Sequence, residues 1–536
     1  MTSRHRITEA LNETSMADCE KVFHHLCTGL IEKNSGINDF KIVSSDCYNN
    51  NAPFKADQFT RFRITDTSMD IVDISKGFIT MTVNVDVQFL YDNLQATQES
   101  TTGMESTVFF IGFKSASHII NVYNVYSNGR LKACKQTKAK HEQAIVYMSK
   151  AKEEKIARPG MYSPHEKVLE MSDCVAGAYI KLPPFNDRNT KQVVTMDLVM
   201  QIDDLTCLNA FSYYPRFLTG ELELEVSMNL INNMVWCQIP LSTAIENTDP
   251  DSSSTLVHYN SYMDTRFHQC GDYATCYIPY RKDIEPDGFK KTSLTIVPSN
   301  LTVETARSHV YGFNIKDTSK QNIAKEFSEN GFVMPAQHIE HYTFSQLPNQ
   351  TDIKTNLQVS LWNCAQVVMT FPNSPNQLTV SRNPHLEAVQ CHIADRIIPD
   401  KFFKTTDRAH AEMVLSALGM DSLFSAADEL IEALTKNRGK VGTWTLTKKD
   451  DSDYMLVLDL ERAGSGCFCD GLSGQSIPIN FQANYMYNVE NPHYYHIVNG
   501  VKELRRQNIN VFFISDAFWV FSPNGGEYIK DGNSVY

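Results

Sequence analysis

Phe78-Ile79-Thr80-Met81-Thr82-Val83-Asn84-Val85-Asp86-Val87-Gln88-Phe89 sets the reading of the whole chain. Ile79, Met81, Val83, Val85, Val87 and Phe89 alternate with Thr80, Thr82, Asn84, Asp86 and Gln88 without a break. A period of two belongs to a long strand with one buried face. A helix would scatter the same apolar side chains around its circumference. The segment therefore belongs to a sheet whose dry face packs on something equally flat.

The composition places this strand in a globular β protein. The chain has 536 residues, 42% of them hydrophobic and 21% charged, which suits two large β domains of roughly 200–250 residues each. No apolar run approaches the ~18 residues of a membrane span. Met1 to Arg6 is polar and leads into no apolar signal core, so cytosolic synthesis is expected. Thirteen cysteines, an odd number, read as buried or free thiols in a reducing compartment. The net charge of −13 argues against a nucleic-acid binder of the basic-patch kind. The densest basic run, Arg130 to Lys155, is threaded with Glu142, Glu153 and Glu154 and reads as a solvated helix face.

Moving out from the opening strand, residues 1–50 read as an N-terminal arm. Val22, Phe23, Leu26, Leu30 and Ile31 make one stripe of an amphipathic helix ending near Asn34-Ser35-Gly36. Strands follow at Phe59–Ile64, Val108–Gly112 and His118–Tyr126, the last stopping at the turn Ser127-Asn128-Gly129-Arg130. Thr137–Ile156 reads as one helix, with Ala144, Ile145, Met148 and Ala151 on one face. Val193–Ile202 and Leu222–Leu230 are strands again. The stretch from Asn229 to Lys320 is the least regular, with polar loops at Asn247–Ser254 and Asp283–Gly288. A helix at Ser319–Glu329 closes at Asn330-Gly331, where a domain boundary is expected.

The second half repeats the order. Thr355–Phe371 reads as one strand or two in line, and Ala388–Ile393 is a strand that stops at a turn before Arg396. Helices follow at Asp407–Leu418 and Ser422–Lys436, and Tyr454–Asp459 matches Thr195–Met200. Matched landmarks lie about 260–280 residues apart, the mark of an internal duplication. Short antiparallel strands in this number close most readily as eight-stranded jelly rolls. The expected fold is all-β: two tandem eight-stranded jelly rolls with helical insertions and long loops. Its units are 1–50 (arm), 51–331 (first roll) and 332–536 (second roll).

Four stretches carry a resemblance: Ile71-Val72-Asp73-Ile74-Ser75-Lys76-Gly77-Phe78 leading into the long strand; Asn128-Gly129-Arg130 before a helix; Phe211 to Leu230, containing Thr219-Gly220-Glu221-Leu222-Glu223-Leu224-Glu225-Val226; and Ile514-Ser515-Asp516-Ala517-Phe518-Trp519-Val520-Phe521 as a closing strand. In pattern and order, over most of 55–530, the chain resembles the double jelly-roll major capsid proteins of the Polinton, virophage and adenovirus type. That resemblance implies a structural protein of the virion, made in the host cytoplasm and not an enzyme. It implies a homotrimer whose pseudo-hexagonal capsomers tile an icosahedral shell beside neighbouring capsomers and minor or penton proteins. The long loops would face outward. The acidic balance fits a shell whose genome contacts are made by other, basic proteins, with no direct sequence-specific nucleic-acid binding and no membrane span.

No catalytic, cofactor or metal residues are expected. Cys467-Phe468-Cys469 lacks a second ligand pair at zinc spacing, and Cys270 and Cys276 near His268 read as thiols rather than ligands. Neither a Gly-x-Ser-x-Gly elbow nor a phosphate-binding loop is present. Asp203-Asp204 and Asp450-Asp451 could be cast as glycosidase carboxylates, but adjacent acids on loops are common solvated features. Asn300-Leu301-Thr302 and Asn349-Gln350-Thr351 match the glycosylation pattern by chance in a chain without a signal. Tyr487, Tyr494 and Tyr495 suit sugar stacking or an interface equally. The competing reading is a cytosolic carbohydrate-binding β-sandwich protein, or the inactive relative of a glycosidase.

Overall fold

The computed structural model describes residues 37–49, 52–92, 108–158, 160–161, 177–181, 189–209, 211, 213–228, 236–238, 245–246, 256–257, 267–269, 275–281, 289–330, 332–345, 352–372, 378, 381, 383–394, 396–420, 425–434, 453–461, 471–485, 495–498, 501–504, 508–522 and 525–530. The helix expected around Val22 to Ile31 lies outside them.

Eight strands build the first unit: β1 (Ile37–Asp46), β2 (Phe59–Arg63), β3 (Ile71–Asp92), β4 (Ile120–Ser127), β5 (Arg130–Gln136), β6 (Asn189–Gln201), β7 (Leu222–Met228) and β8 (Phe289–Ile315). They pair antiparallel into two sheets. One runs first–eighth–third–sixth (β1-β8-β3-β6), the other second–seventh–fourth–fifth (β2-β7-β4-β5). This interleaving of strand order is that of a jelly roll. β3 contains the opening stretch and extends it to 22 residues. Ile79, Met81, Val83, Val85 and Val87 are buried, while Thr80, Thr82, Asn84, Asp86 and Gln88 are half-exposed, as alternation requires. The β4–β5 hairpin turns through Asn128 and Gly129 at φ 52° and 72°, a left-handed pair that Asn-Gly adopts at little cost.

The second unit uses β9 (Phe332–Ser345), β10 (Asp352–Thr370), β11 (Leu386–Ile393), β12 (Arg396–Phe403), β13 (Leu456–Asp459), β14 (Leu472–Tyr485) and β15 (Asn508–Ser522), with β16 (Gly525–Ile529) folding back on β15. Strand β10 fills two positions. Its first half, Asp352 to Leu361, pairs with β14, and its second half, Cys364 to Thr370, pairs with β15. Between them Asn363 takes φ 47° and the register shifts. Counted so, the second unit repeats the same order: β9-β15-β10-β13 and β10-β14-β11-β12. The chain is two jelly rolls in tandem, and of the two readings of Thr355–Phe371 the structure has the single strand, which serves two positions.

Beside a single turn at Arg216–Thr219, the described residues hold the helices α1 (Ala139–Ser149), α2 (Lys152–Ala157), α3 (Asp317–Asn330), α4 (Arg408–Ala417) and α5 (Asp428–Leu434). α3 stands between the last strand of the first roll and the first strand of the second. Its Ile323 packs with Phe217 and Tyr213 on a small cluster of Ile71, Phe313 and Ile315. Parts of the long loops pair into a separate four-stranded sheet of Phe267–Gln269, Trp236–Gln238, Val108–Gly112 and Gly177–Lys181.

Three expectations need correction. The stretch 37–46 is β1, so the first sheet reaches into the segment set apart as an arm. The helix read over Thr137–Ile156 is two, α1 and α2, broken where Lys150 and Ala151 turn extended, and Arg130–Gln136 before it is a strand. The irregular region from Asn229 to Lys320 holds β8, at 27 residues longer than β3. Bulges between Ser299 and Leu301, between Val303 and Thr305, and between His309 and Tyr311 interrupt its register. Each extra residue shifts the period of two, so the buried positions fall at Leu301, Val303, Ala306, Ser308 and Val310 and no unbroken alternation survives in the sequence.

Candidate functional site

The feature in which the two rolls act on one another is their seam. The hairpin β4–β5, helices α1 and α2 and the turn after β6 meet β9, β15, β16 and α5 of the second roll. Phe211 packs against Trp519 and Phe521 at ring separations of 5.7 and 5.8 Å, and the Trp519 indole N–H donates to the Cys207 carbonyl at 2.6 Å. At the edges, Gln136 donates to the Ile339 carbonyl at 3.3 Å and Lys138 Nζ to the His341 carbonyl at 2.5 Å. The His141 and His341 rings stack at 3.8 Å. Gly526 N–H reaches the Ser127 hydroxyl at 3.2 Å.

Inside this seam lies a buried ionic cluster. Asp453 accepts from Lys114 Nζ at 2.6 Å and from Lys155 Nζ at 3.3 Å, and Lys155 also meets Glu429 at 3.2 Å. The four side chains are 0–3% exposed. Tyr147 donates to Glu429 at 3.4 Å and offers its ring face to Lys155 at 4.0 Å. Two cations and two anions balance, which is the condition for burying charge at all. Burial alone would push the Asp453 carboxyl up, but Lys114 and Lys155 outweigh it and hold it below the usual carboxylate range. Burial likewise disfavours the Lys155 ammonium, and Glu429 and Asp453 reverse the sign.

A second cluster steadies the first roll beneath the seam. Arg158 grips Asp203 with two bonds of 2.9 Å and Asp204 with one of 2.6 Å, while Lys150 approaches Asp204 at 3.4 Å. Glu142, buried on α1, accepts from Gln136 at 2.6 Å, from Tyr123 at 2.9 Å and from the Thr206 hydroxyl and N–H at 2.8 and 3.1 Å. Burial nevertheless raises its carboxyl above the ordinary value.

These clusters overturn two sequence expectations. The lysines of 130–155 are not simply a solvated face, because Lys150 and Lys155 are buried and paired with acids. Asp203-Asp204 is not a solvated loop pair either: both carboxylates are committed to Arg158. The partners that neutralise Lys155 lie in the other roll, and no local pattern points to them. The only trace in the sequence is three glutamates among the lysines, and of these only Glu142 is buried.

No acid–base or nucleophilic arrangement open to a substrate emerges from these groups, since each is spent on a fixed partner. Among the described residues no group of three or more His, Cys, Asp or Glu could hold a metal ion. Cys47, Cys134, Cys207, Cys364 and Cys391 are buried cysteines outside any disulfide. Cys270, Cys467, Cys469 and the Asp450-Asp451 pair lie outside the described residues, and Cys276 falls in the strand Thr275–Arg281. Tyr487 and Tyr494 are likewise outside. No helix among the described residues is long and apolar enough to cross a membrane.

No protein-family model matches the sequence, and no curated protein matches it. Solved structures do. The mavirus major capsid protein aligns over 93% of this chain and 93% of its own, with 11% identity and a TM-score of 0.47. The Sputnik virophage structure determined by cryo-EM aligns over 93% and 90%, with 10% identity and a TM-score of 0.46. The Faustovirus major capsid protein aligns over 90% and 91%, with 8% identity and a TM-score of 0.40. Over nine-tenths of its length the chain is similar to these viral structures.

Proposed function

We propose that the chain is a major capsid protein. Three copies assemble into a pseudo-hexagonal capsomer of six rolls, and such capsomers tile an icosahedral shell with minor and penton proteins at the positions a trimer does not fill. The chain is made in the host cytoplasm and ends in the virion. Its two rolls divide at 331/332, and residues ahead of β1 form an arm.

One observation carries this reading: the same eight-position roll occurs twice in one chain, locked by a buried apolar and ionic seam. A fused pair of like units with a fixed angle between them is a building block. Copies of such a block can extend the pattern through surfaces the seam leaves open. The buried charges at the seam fit a structural role, because groups held at 0–3% exposure are out of reach of any substrate.

Size-exclusion chromatography with light scattering, followed by electron microscopy of the purified protein, tests the proposal. The expected result is a stable trimer with a hexagonal outline that closes into shells at higher concentration. A monomer at every concentration that binds immobilised glycans would overturn it in favour of a carbohydrate-binding protein.

A further inference from the structure

Most of the histidines packed inside the two rolls face a group that can answer a proton. His118 Nε2 lies 3.1 Å from the Gln143 carbonyl, His338 Nε2 3.9 Å from a Glu340 carboxylate oxygen and His410 Nε2 3.0 Å from the Tyr454 hydroxyl. His141 and His341 are placed differently. One stands on α1 of the first roll and the other on β9 of the second, and their rings stack across the edge of the seam, 3.8 Å apart with 25° between their planes. His141 Nδ1 is buried with no hydrogen-bond partner among the described residues. His341 Nε2 meets the Thr343 hydroxyl at 3.1 Å, and its ring lies 4.9 Å from that of Phe512.

The charges that bear on this pair are cationic, Lys138 and Lys140 of α1. From β15 the facing polar group is Asn510, neutral and bonded to Thr343 at 3.1 Å. The carboxylates nearest in sequence are turned elsewhere. Glu142 accepts from Tyr123, Gln136 and Thr206, and Glu340, one residue before His341, lies with His338 and Tyr342 on the other face of β9. Two neutral imidazoles stack without penalty. Two imidazolium rings at the same separation, beside two ammonium groups and no anion, repel. Burial and these neighbours push His141 down to about 2 and His341 down to about 4, whereas a histidine released into water titrates near 6.5.

We infer that the His141–His341 stack is an acid-operated catch on the seam: when the two rings take up protons, α1 parts from the edge of β9 while each roll stays folded. The Gln136–Ile339 and Lys138–His341 bonds at the same edge open with it. The ionic cluster deeper in the seam is not what mild acid releases, because Asp453 is held below the usual carboxylate range and keeps its charge there. The sign follows from linkage: the stack contributes stability above the unfolded value near 6.5 and loses it as pH falls. Between pH 7.5 and 5 the opening equilibrium rises by about 30-fold for each histidine and several hundred-fold for both. The inference concerns one chain and stands whether or not copies assemble.

Hydrogen exchange of the full chain, read by mass spectrometry and corrected for the intrinsic rate at each pH, tests it. Peptides covering 136–145 and 336–343 are expected to lose protection several hundred-fold at pH 5, while peptides covering β3 remain protected. His141→Phe and His341→Phe keep a ring in the stack that cannot take a proton. Each is expected to remove about 30-fold of the loss, and the two together to abolish it. Lys140→Glu sets an anion near the stack without altering either ring, and it is expected to shrink the loss; it decides the matter if a Phe variant fails to fold. Wild-type protection unchanged at pH 5, β3 and the seam edge losing protection together, or a folded double Phe variant that answers acid as the wild type does overturns the inference. So does a Lys140→Glu chain with the wild-type response.

Discussion

The sheet β1-β8-β3-β6 of the first roll and the sheet β9-β15-β10-β13 of the second occupy the same place in the duplicated fold, yet they are dressed differently. On β3 every second residue from Thr80 to Gln88 remains half-exposed. Its outer face is a ladder of polar contacts: Thr82 to Asp197 at 2.8 Å, Thr195 to Asn84 at 2.7 Å, Asn84 to Glu304 at 3.1 Å. On β15 every residue from Asn508 to Trp519 is buried. Residues from the first roll pack near both ends of this sheet, at Trp519 and Phe521 and at His341, and Gln366 of β10 donates to the Ala417 carbonyl of α4. The lesson is that the outer face of a sheet records its permanent neighbours rather than its topology. A face covered by the other roll of the same chain can be apolar throughout. The half-exposed face of β3 carries a polar ladder.

The sharpest break of the comparison is a charge placed on the inner face, where the two sheets do not differ. Val83 is fully buried, so Val83→Asp is expected to abolish cooperative folding, at a cost of several kcal/mol for an unpaired buried carboxylate. Soluble trimers with a cooperative melt would show that the faces of β3 are assigned the wrong way round.

Acid comes next, and it targets the seam side. Burial lowers His118 to about 3, His141 to about 2, His338 to about 3, and His341 and His410 to about 4. Their neutral forms are favoured by folding. That stability is present above the unfolded value near 6.5 and is lost as pH falls below it, because the unfolded chain takes up protons the folded chain refuses. Glu142 and Asp204, whose carboxyls burial raises, act in the opposite sense, but five histidines face two carboxyls. A loss of roughly 1 kcal/mol per histidine, about 5 in total, is expected between pH 7 and 5.5. Urea midpoints at the two pH values measure it, and an unchanged midpoint would contradict the burial of these rings.

Removing one ionic partner of the seam has a somewhat smaller expected effect. Asp453→Asn removes the carboxylate that Lys114 and Lys155 share and leaves the cluster one anion short, and an uncompensated buried charge costs about 3–5 kcal/mol. Thermal melts followed by circular dichroism would register the loss. Replacing all four charged residues with apolar ones of similar size should recover most of it.

The smallest change belongs to the open face. Asn84→Arg exchanges two hydrogen bonds for an ion pair with Glu304 and is expected to shift monomer stability by less than about 0.5 kcal/mol. The same melts check this, and a large loss would mean that the polar ladder holds the sheet together.

The sequence by itself determined the local half of this protein. Alternation from Ile79 to Val87 specified a strand and its faces, Asn128-Gly129 specified the hairpin, and the recurrence of strand, turn, helix and strand specified the duplication. Each is written in neighbours a few residues apart, where backbone geometry alone translates pattern into structure. Tertiary structure decided what depends on distant partners. Lys155 is a buried cation because Asp453 and Glu429, nearly three hundred residues on, arrive beside it. The buried rows of β8 are legible only once its bulges are seen against β3. Charge pairing is set by what the fold brings together, and sequence separation carries no record of that.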